Sequence, residues 1–171
     1  MSLQSKLALF GAELLKHPSI EDGIPLISAY AKEVTEAERC SIYIYNRKVK
    51  ILWTTLADGI EKIMLNDDQG IAGQTVREAK PVIENNPYDN PNFNPKVDQR
   101  SGFVTENIAC IPIFDSSRTV IGVLQLLNKP NGFSDEDTRF MVFFAHYISG
   151  YIELSTFFED ETKFLLKSGK K

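Results

Sequence analysis

Val97-Asp98-Gln99-Arg100-Ser101-Gly102-Phe103-Val104-Thr105 joins two kinds of sequence. Before it, residues 85–99 carry Pro87, Pro91 and Pro95 among repeated asparagines, with Tyr88 and Phe93 as apolar anchors. After it come two apolar runs, 107–114 and 120–127, separated by the turn Asp115-Ser116-Ser117-Arg118. In the first run Ile108, Cys110, Pro112 and Phe114 alternate with Asn107, Ala109, Ile111 and Ile113. Both faces are apolar, so this strand is central and covered on both sides. The second run returns antiparallel and is apolar except for Gln125. A buried lone amide must find hydrogen bonds or cost roughly 1–3 kcal/mol, so Gln125 pairs either within the protein or with a ligand. Long loops without periodicity in a compact domain are lids, binding loops or disordered segments. The flanking strands are too apolar for disorder, and the expectation is a lid over a pocket.

Working back from the lid, Pro81-Val82-Ile83 reads as an edge strand, because proline cannot donate to a ladder. Residues 71–80 read as a helix entered through Gly70-Ile71-Ala72-Gly73. Glycines there let the backbone approach a neighbour or a bound group, and N–H groups at a helix start favour anions. A short strand at 62–65 precedes it, after a turn at Ala57-Asp58-Gly59. Before that, 40–45 and 49–55 form a hairpin around Asn46-Arg47-Lys48. Cys40, Ile42 and Ile44 point one way from its first strand, and Ser41, Tyr43 and Tyr45 the other. The apolar set belongs against helices. The Ser/Tyr set faces the opposite side, where either a ligand or half-buried packing accounts for the tyrosines. Trp53 is either core or rim packing or a stacking surface for a flat ligand.

Two amphipathic helices open the chain. The first, 5–16, carries Leu7, Phe10 and Leu14 on one stripe and ends at His17-Pro18. The second presents Ile20, Ile24, Ile27, Ala31 and Val34. Its regular part is expected to begin near Asp22, so that Pro25 falls where its missing N–H costs nothing. At the other end Ser134 is a good N-cap, and Asp135, Glu136 and Asp137 suit the positive helix end. The helix that follows repeats Met141, Phe144, Ile148, Tyr151, Phe158 and Leu165 at a period of about 3.5 residues. His146 lies off that stripe.

A chain of 171 residues, 43% hydrophobic and 25% charged, suits one ordinary globular domain. The net charge of −4 gives no reason to expect nucleic acid or an anionic membrane as partner. No apolar run approaches the ~20 residues that span a bilayer, and no secretory signal opens the chain, so a cytoplasmic location is expected. Cys40 and Cys110 fall in apolar strands and read as buried reduced thiols, without CxxC or Cys/His metal spacing. No triad, metal cluster or paired-carboxylate site is visible. No enzyme activity and no cofactor are expected.

Four segments, Arg39-Cys40-Ser41, Gly70-Ile71-Ala72-Gly73, the run from Asp98 to Thr105, and Val120-Ile121-Gly122-Val123-Leu124-Gln125-Leu126-Leu127-Asn128-Lys129, together carry a family resemblance. Over residues 20–151 the chain resembles a GAF domain, the sensory module of phosphodiesterases, adenylyl cyclases, phytochromes and many bacterial signalling proteins. It is most similar to the branch that binds cyclic nucleotides. The resemblance implies an α+β, GAF/PAS-like fold: a six-stranded antiparallel sheet with N- and C-terminal helices on one face and a ligand pocket under a lid on the other. It implies that Ser41 touches the base, that Ile71 and Ala72 line the phosphate or base wall, and that Asp98, Ser101 and Thr105 hold the ligand from the lid. Tyr43 and Trp53 complete the ligand-binding set. Gln125 stands where that branch often has a glutamate, and an amide donates as well as accepts. The family's Asn-Lys…Phe-x-x-x-Asp-Glu signature, whose lysine braces the pocket through the aspartate, is assigned here to Lys129 and Asp135.

The function so implied is a non-catalytic sensory or regulatory domain that binds a small molecule, with cyclic AMP or cyclic GMP as first candidate, and signals through its terminal helices to an effector domain of a larger protein. The alternatives are a structural dimerisation domain without ligand, a bilin-type chromophore domain, and a GAF-fold methionine-sulfoxide reductase. The chromophore domain needs a cysteine near the pocket. The reductase needs accessible nucleophilic and resolving thiols, and two strand cysteines do not suit that chemistry. The organisation read from the chain is an N-terminal helix at 1–18, the GAF domain at 19–153 and a C-terminal helix extension at 154–171, frayed over its last residues. That extension would leave Phe157, Phe158, Phe164, Leu165 and Leu166 in water unless a second copy buried them across a two-fold axis. A homodimer through the terminal helices is expected; the alternative is a helix folded back on its own domain.

Overall fold

The computed structural model describes residues 1–57 and 62–168, and their side chains except at 55–57 and 158–168. Six strands make one sheet: β1 (Arg39–Asn46), β2 (Ile51–Ala57), β3 (Met64–Asn66), β4 (Val82–Glu84), β5 (Ile108–Phe114) and β6 (Val120–Leu127), in spatial order β3-β2-β1-β6-β5-β4. Every neighbouring pair is antiparallel. The two shortest strands, of three residues each, lie at the edges, where a long unpaired ladder would be a liability. Helices α1 (Leu3–Leu14), α2 (Ile20–Thr35) and α5 (Asp135–Ser168) cover one face. Helix α3 (Gly70–Glu78) and the lid, which carries the short helix α4 (Lys96–Ser101), cover the other. No helix among the described residues is long and apolar enough to cross a membrane.

The period-two pattern decides which side chains go where. Cys40, Ile42 and Ile44 of β1, with Ala109, Ile111 and Ile113 of β5 and Leu124 and Leu126 of β6, face the helices. Against them pack Ile24, Ile27 and Ala31 of α2 and Met141, Phe144, Ile148 and Ile152 of α5. An aromatic cluster joins the three helices: the Phe10 and Tyr30 rings stack at 4.6 Å, and Phe144 lies 5.5 and 5.3 Å from them. On the opposite face Tyr43, Cys110 and Val123 meet Ile71, Ala72 and Val76 of α3. Register places Gln125 opposite both Ser41 and Cys110, so the three share a row across the centre of the sheet.

Three boundaries differ from the sequence reading. Helix α1 starts at Leu3 because the Ser2 hydroxyl accepts the Ser5 N–H at 3.2 Å. Helix α2 starts at Ile20, capped by Ser19, so Pro25 sits inside the helix rather than in its first turn. The carbonyl thereby deprived of a donor is that of Glu21, an exposed residue that water reaches. The lid is not featureless: a 3-10 turn at Pro87–Asp89 and α4 give it a hydrogen-bonded framework. With six residues, α4 is too short for a periodic stripe, and Gly102 ends it at φ 71°.

Helix α5 has two apolar stripes. The one read from the sequence, Met141, Phe144 and Ile148, is the inward face, continued by Ile152 and Ser155. A second stripe of Phe143, Tyr147, Gly150, Leu154 and Phe157 lies outward, with its large side chains exposed. Phe158, Phe164, Leu165 and Leu166, expected in water, lie outside the described side chains, as does the turn at Asp58-Gly59. Tyr151 is no free seam residue: its hydroxyl lies 2.5 and 2.8 Å from the carbonyls of His17 and Ser19, over Gly23. Truncating Phe144 to alanine should cost about 3–5 kcal/mol, because its ring is fully buried among three others. Urea unfolding followed by circular dichroism checks this.

Candidate functional site

The lid side of the sheet encloses a cavity of about 70 Å³. Ser41 and Tyr43 of β1 and Gln125 and Leu127 of β6 form its floor. Leu65 of β3 and Ile71 and Ala72 of α3 form a wall, and Phe93, Val97, Asp98, Ser101, Phe103 and Thr105 form the roof. Helix α3 enters without a side-chain cap, since the Gln69 side chain accepts from the Asn66 N–H instead. Gly73 is required there: a Cβ at that position would lie 2.7 Å from the Asp67 carbonyl oxygen. Ser41 is only 8% exposed, yet its hydroxyl has no partner among the described residues, and neither has the Gln125 amide. Outside the cavity, and sharing Gln69, Asn94 and Val97 with it, lies a cleft of about 620 Å³.

Side-chain amides and one carboxylate fasten the lid. Asp98, buried, accepts from the Tyr88 hydroxyl, the Thr105 N–H and the Thr105 hydroxyl, each at 2.8 Å. Asn85 accepts from the Phe133 N–H at 2.9 Å and donates to the Phe133 carbonyl at 3.2 Å. Asn107 does the same for Lys129, at 2.8 and 2.9 Å. Asn128 accepts from the Glu106 N–H and donates to the Val104 carbonyl. It does so from φ 57°, a left-handed conformation that asparagine tolerates better than most residues.

The brace forms, but on a different acid from the one expected. Lys129 Nζ lies 2.5 Å from Asp137 Oδ1, whereas Asp135 takes no part. Asp137 is three residues beyond the N-cap, so it accepts the Ser134 N–H while Ser134 Oγ accepts its own N–H. That reciprocal box aims its carboxylate back at Lys129. Three residues then separate Phe133 from the pairing aspartate, the spacing of the family signature, which the adjacent Asp135-Glu136 pair disguised.

The profile of the family described as the GAF domain matches residues 20–152. The chain belongs to the GAF-domain family. It is 27% identical over 144 residues to a Caenorhabditis elegans protein named "Probable 3',5'-cyclic phosphodiesterase pde-5", covering 75% of this chain and 20% of that one. It is 42% identical over 72 residues to the Drosophila melanogaster dual 3',5'-cyclic-AMP and -GMP phosphodiesterase 11, covering 41% of this chain and 5% of that one. The chain thus spans a small part of these relatives. The fold matches the GAF domain of an Acinetobacter phosphoenolpyruvate-protein phosphotransferase at a TM-score of 0.78 and 20% identity, over 94% of this chain and 99% of that one. It also matches a free methionine-R-sulfoxide reductase from Neisseria meningitidis at 0.74 and 15% identity, over 88% and 87%.

Within this GAF domain the structure brings Ser41, Tyr43, Ile71, Ala72, Asp98, Ser101, Thr105 and Gln125 around one cavity. Trp53 is elsewhere: it pairs with Ile44 and packs on the helix side of the sheet, so its place in the ligand-binding set is corrected. Tyr45 hydrogen-bonds Asp67 at 2.8 Å; burial and that carboxylate push its hydroxyl up to about 12. Lining residues absent from the predicted ligand-binding set include the polar Arg39 and Gln69 on the sheet side and Phe93, Asn94 and Phe103 of the predicted lid. The two thiols lie on opposite faces, Cys40 toward the helices and Cys110 toward α3, and burial pushes the Cys110 thiol up. Among the described residues no group of three or more His, Cys, Asp or Glu is placed to hold a metal ion.

Burial raises the Asp137 carboxyl, but the bonds from Lys129 and Ser134 outweigh it and hold the group below the usual carboxylate range. A depressed acid contributes stability above its unfolded value, about 3.9, and loses it as pH falls through the folded value. The stability lost in Asp137→Asn should therefore be constant from roughly pH 5 to 8 and shrink below about pH 4. Urea midpoints of both proteins across pH check this.

Proposed function

We propose that this GAF domain is a non-catalytic sensory module that takes a small molecule beneath its lid, with cyclic AMP or cyclic GMP as first candidate, and signals to an effector domain through its terminal helices. One observation carries the reading: two polar side chains, Ser41 and Gln125, meet no protein partner in a cavity roofed by a fastened lid. Gln125 is half-buried, and both side chains keep donors and acceptors that a ligand in the cavity can use. The names of the phosphodiesterase relatives support cyclic nucleotides. A cavity of about 70 Å³ is well short of the ~300–1,000 Å³ of ligand sites, so uptake requires the lid to lift or the outer cleft to share the ligand. Reductase chemistry is disfavoured because an attacking thiolate must be accessible, and Cys110 is buried and pushed toward the thiol. Calorimetry with cyclic AMP and cyclic GMP should show saturable binding of one of them, weakened about 5–30-fold by Ser41→Ala or Gln125→Ala. No heat with either nucleotide at high micromolar concentration would remove both as ligands.

The same reading includes a homodimer. On α5, Phe143, Gly150, Leu154 and Phe157 follow helix–helix seam spacing, together with Tyr147, which is 41% exposed although its hydroxyl leans on α1. Phe143, Leu154 and Phe157 are each more than half exposed, and Gly150 leaves room for a close approach. Leu154→Glu should convert a dimer to a monomer in sedimentation with the circular dichroism spectrum unchanged. A wild-type chain that stays monomeric at hundreds of micromolar would refute the seam.

A further inference from the structure

We propose that the site recognises an anionic group, a carboxylate or a phosphate, and that Arg39 is the residue that selects it. The inference deepens the ligand reading above but does not depend on the ligand being a nucleotide.

Arg39 opens β1 two residues before Ser41 and therefore shares its face. It lines the cavity, and its guanidinium carbon lies 3.7 Å from the centroid of the Phe103 ring, in the roof. Phe103 follows Gly102, the residue that ends α4, so the ring is carried by the lid. None of the guanidinium N–H groups has a protein acceptor among the described residues. A half-buried arginine normally spends its planar fork on a carboxylate or on carbonyls. Here the ring holds one face of the fork and leaves the edge donors free. A fork held in place loses less entropy per bond formed and matches a carboxylate or phosphate bidentately.

The surroundings carry the same sign. Among the described residues the outer cleft is lined by Lys62, Lys96 and Arg100 and by no carboxylate. None of these three cations bonds an acid among the described residues. The one acid among the described residues of the inner cavity, Asp98, already accepts three hydrogen bonds from Tyr88 and Thr105. Arg39 at the inner cavity and Lys62, Lys96 and Arg100 in the adjoining cleft are thus four cations on two recesses that share Gln69, Asn94 and Val97, in a chain whose net charge is −4. A recess lined by one sign of charge raises the local concentration of the opposite ion. Ser41 and Gln125 lie on the cavity floor, placed for the uncharged part of the ligand.

The test uses the whole chain, isotope-labelled, and two probes: sodium phosphate and sodium acetate, each titrated at constant ionic strength set with sodium chloride. The Arg39 Nε–H and the Ser41 and Ile71 amides are followed by NMR. Saturable shifts are expected with at least one probe, at least about tenfold weaker in Arg39→Gln and unchanged in Arg47→Gln on the far turn of β1. Arg39→Lys keeps the charge but not the fork, and is expected to fall between. Saturation by phosphate alone assigns a phosphoryl ligand, and by acetate alone a carboxylate. Shifts that merely follow ionic strength, or that are equal in wild type, Arg39→Lys and Arg39→Gln, overturn the proposal. If cyclic nucleotides give no heat while phosphate saturates through Arg39, the inference stands and the nucleotide assignment falls. If a cyclic nucleotide binds wild type and Arg39→Gln alike and neither probe saturates, the inference falls and the sensory reading stands.

Discussion

A sheet whose central strands are apolar on both faces can leave neither face to water. β5 and β6 impose that constraint here: Ala109, Ile111, Ile113, Leu124 and Leu126 point one way, and Ile108, Cys110 and Val123 the other. Three helices meet the first demand with ordinary helix-on-sheet packing. The second is met by α3 and by a lid with little regular structure, which brings unpaired backbone groups to an apolar surface. Those groups must be satisfied one by one. Asn85, Asn107 and Asn128 do so by presenting a side-chain amide where a neighbouring strand would present a peptide. Asparagines at the lid's two ends and just after β6 are thus the chemistry that lets an irregular segment lie on a sheet.

The arrangement also explains why the cavity exists. A regular layer packed on Ser41, Cys110 and Gln125 would fill the space above them. A lid pinned at its ends spans that row instead, and Asp98, bonded by Tyr88 and Thr105, fixes its height. Asp98 lines the cavity while also holding the roof together, so cavity wall and lid order meet in one side chain.

Legibility in the sequence followed the strength of the local pattern. The alternation in residues 40–45 was enough to separate the helix face from the cavity face, because a strand allows only two directions. The side of Trp53 was not legible, since it depends on register: Ile44 stands opposite it and faces the helices. α4 escaped because six residues make fewer than two turns. Asp137 was passed over for Asp135 because both are acids in the first turn, and only the reciprocal bonds with Ser134 choose between them. Arg39 escaped because a charge at a strand end reads as solvated until a ring is found stacked on it.

Lys129 shows how the two faces of the sheet are connected. Its backbone N–H and carbonyl are both held by Asn107, where the lid returns to the sheet. Its side chain reaches Asp137 in the first turn of α5, on the far layer. The intervening segment is short and conformationally restricted, with Asn131 and Gly132 both at positive φ. A displacement of the lid's end therefore meets one residue whose other end grips the helix. Farther along α5, Tyr151 sits over Gly23 with its hydroxyl at the carbonyls of His17 and Ser19, and Tyr147 lies against Gly11 of α1. A Cβ at either glycine would collide with the tyrosine hydroxyl, so each glycine makes the room in which its tyrosine seats. The helix layer is keyed together as one piece, and Lys129 is where the lid holds it.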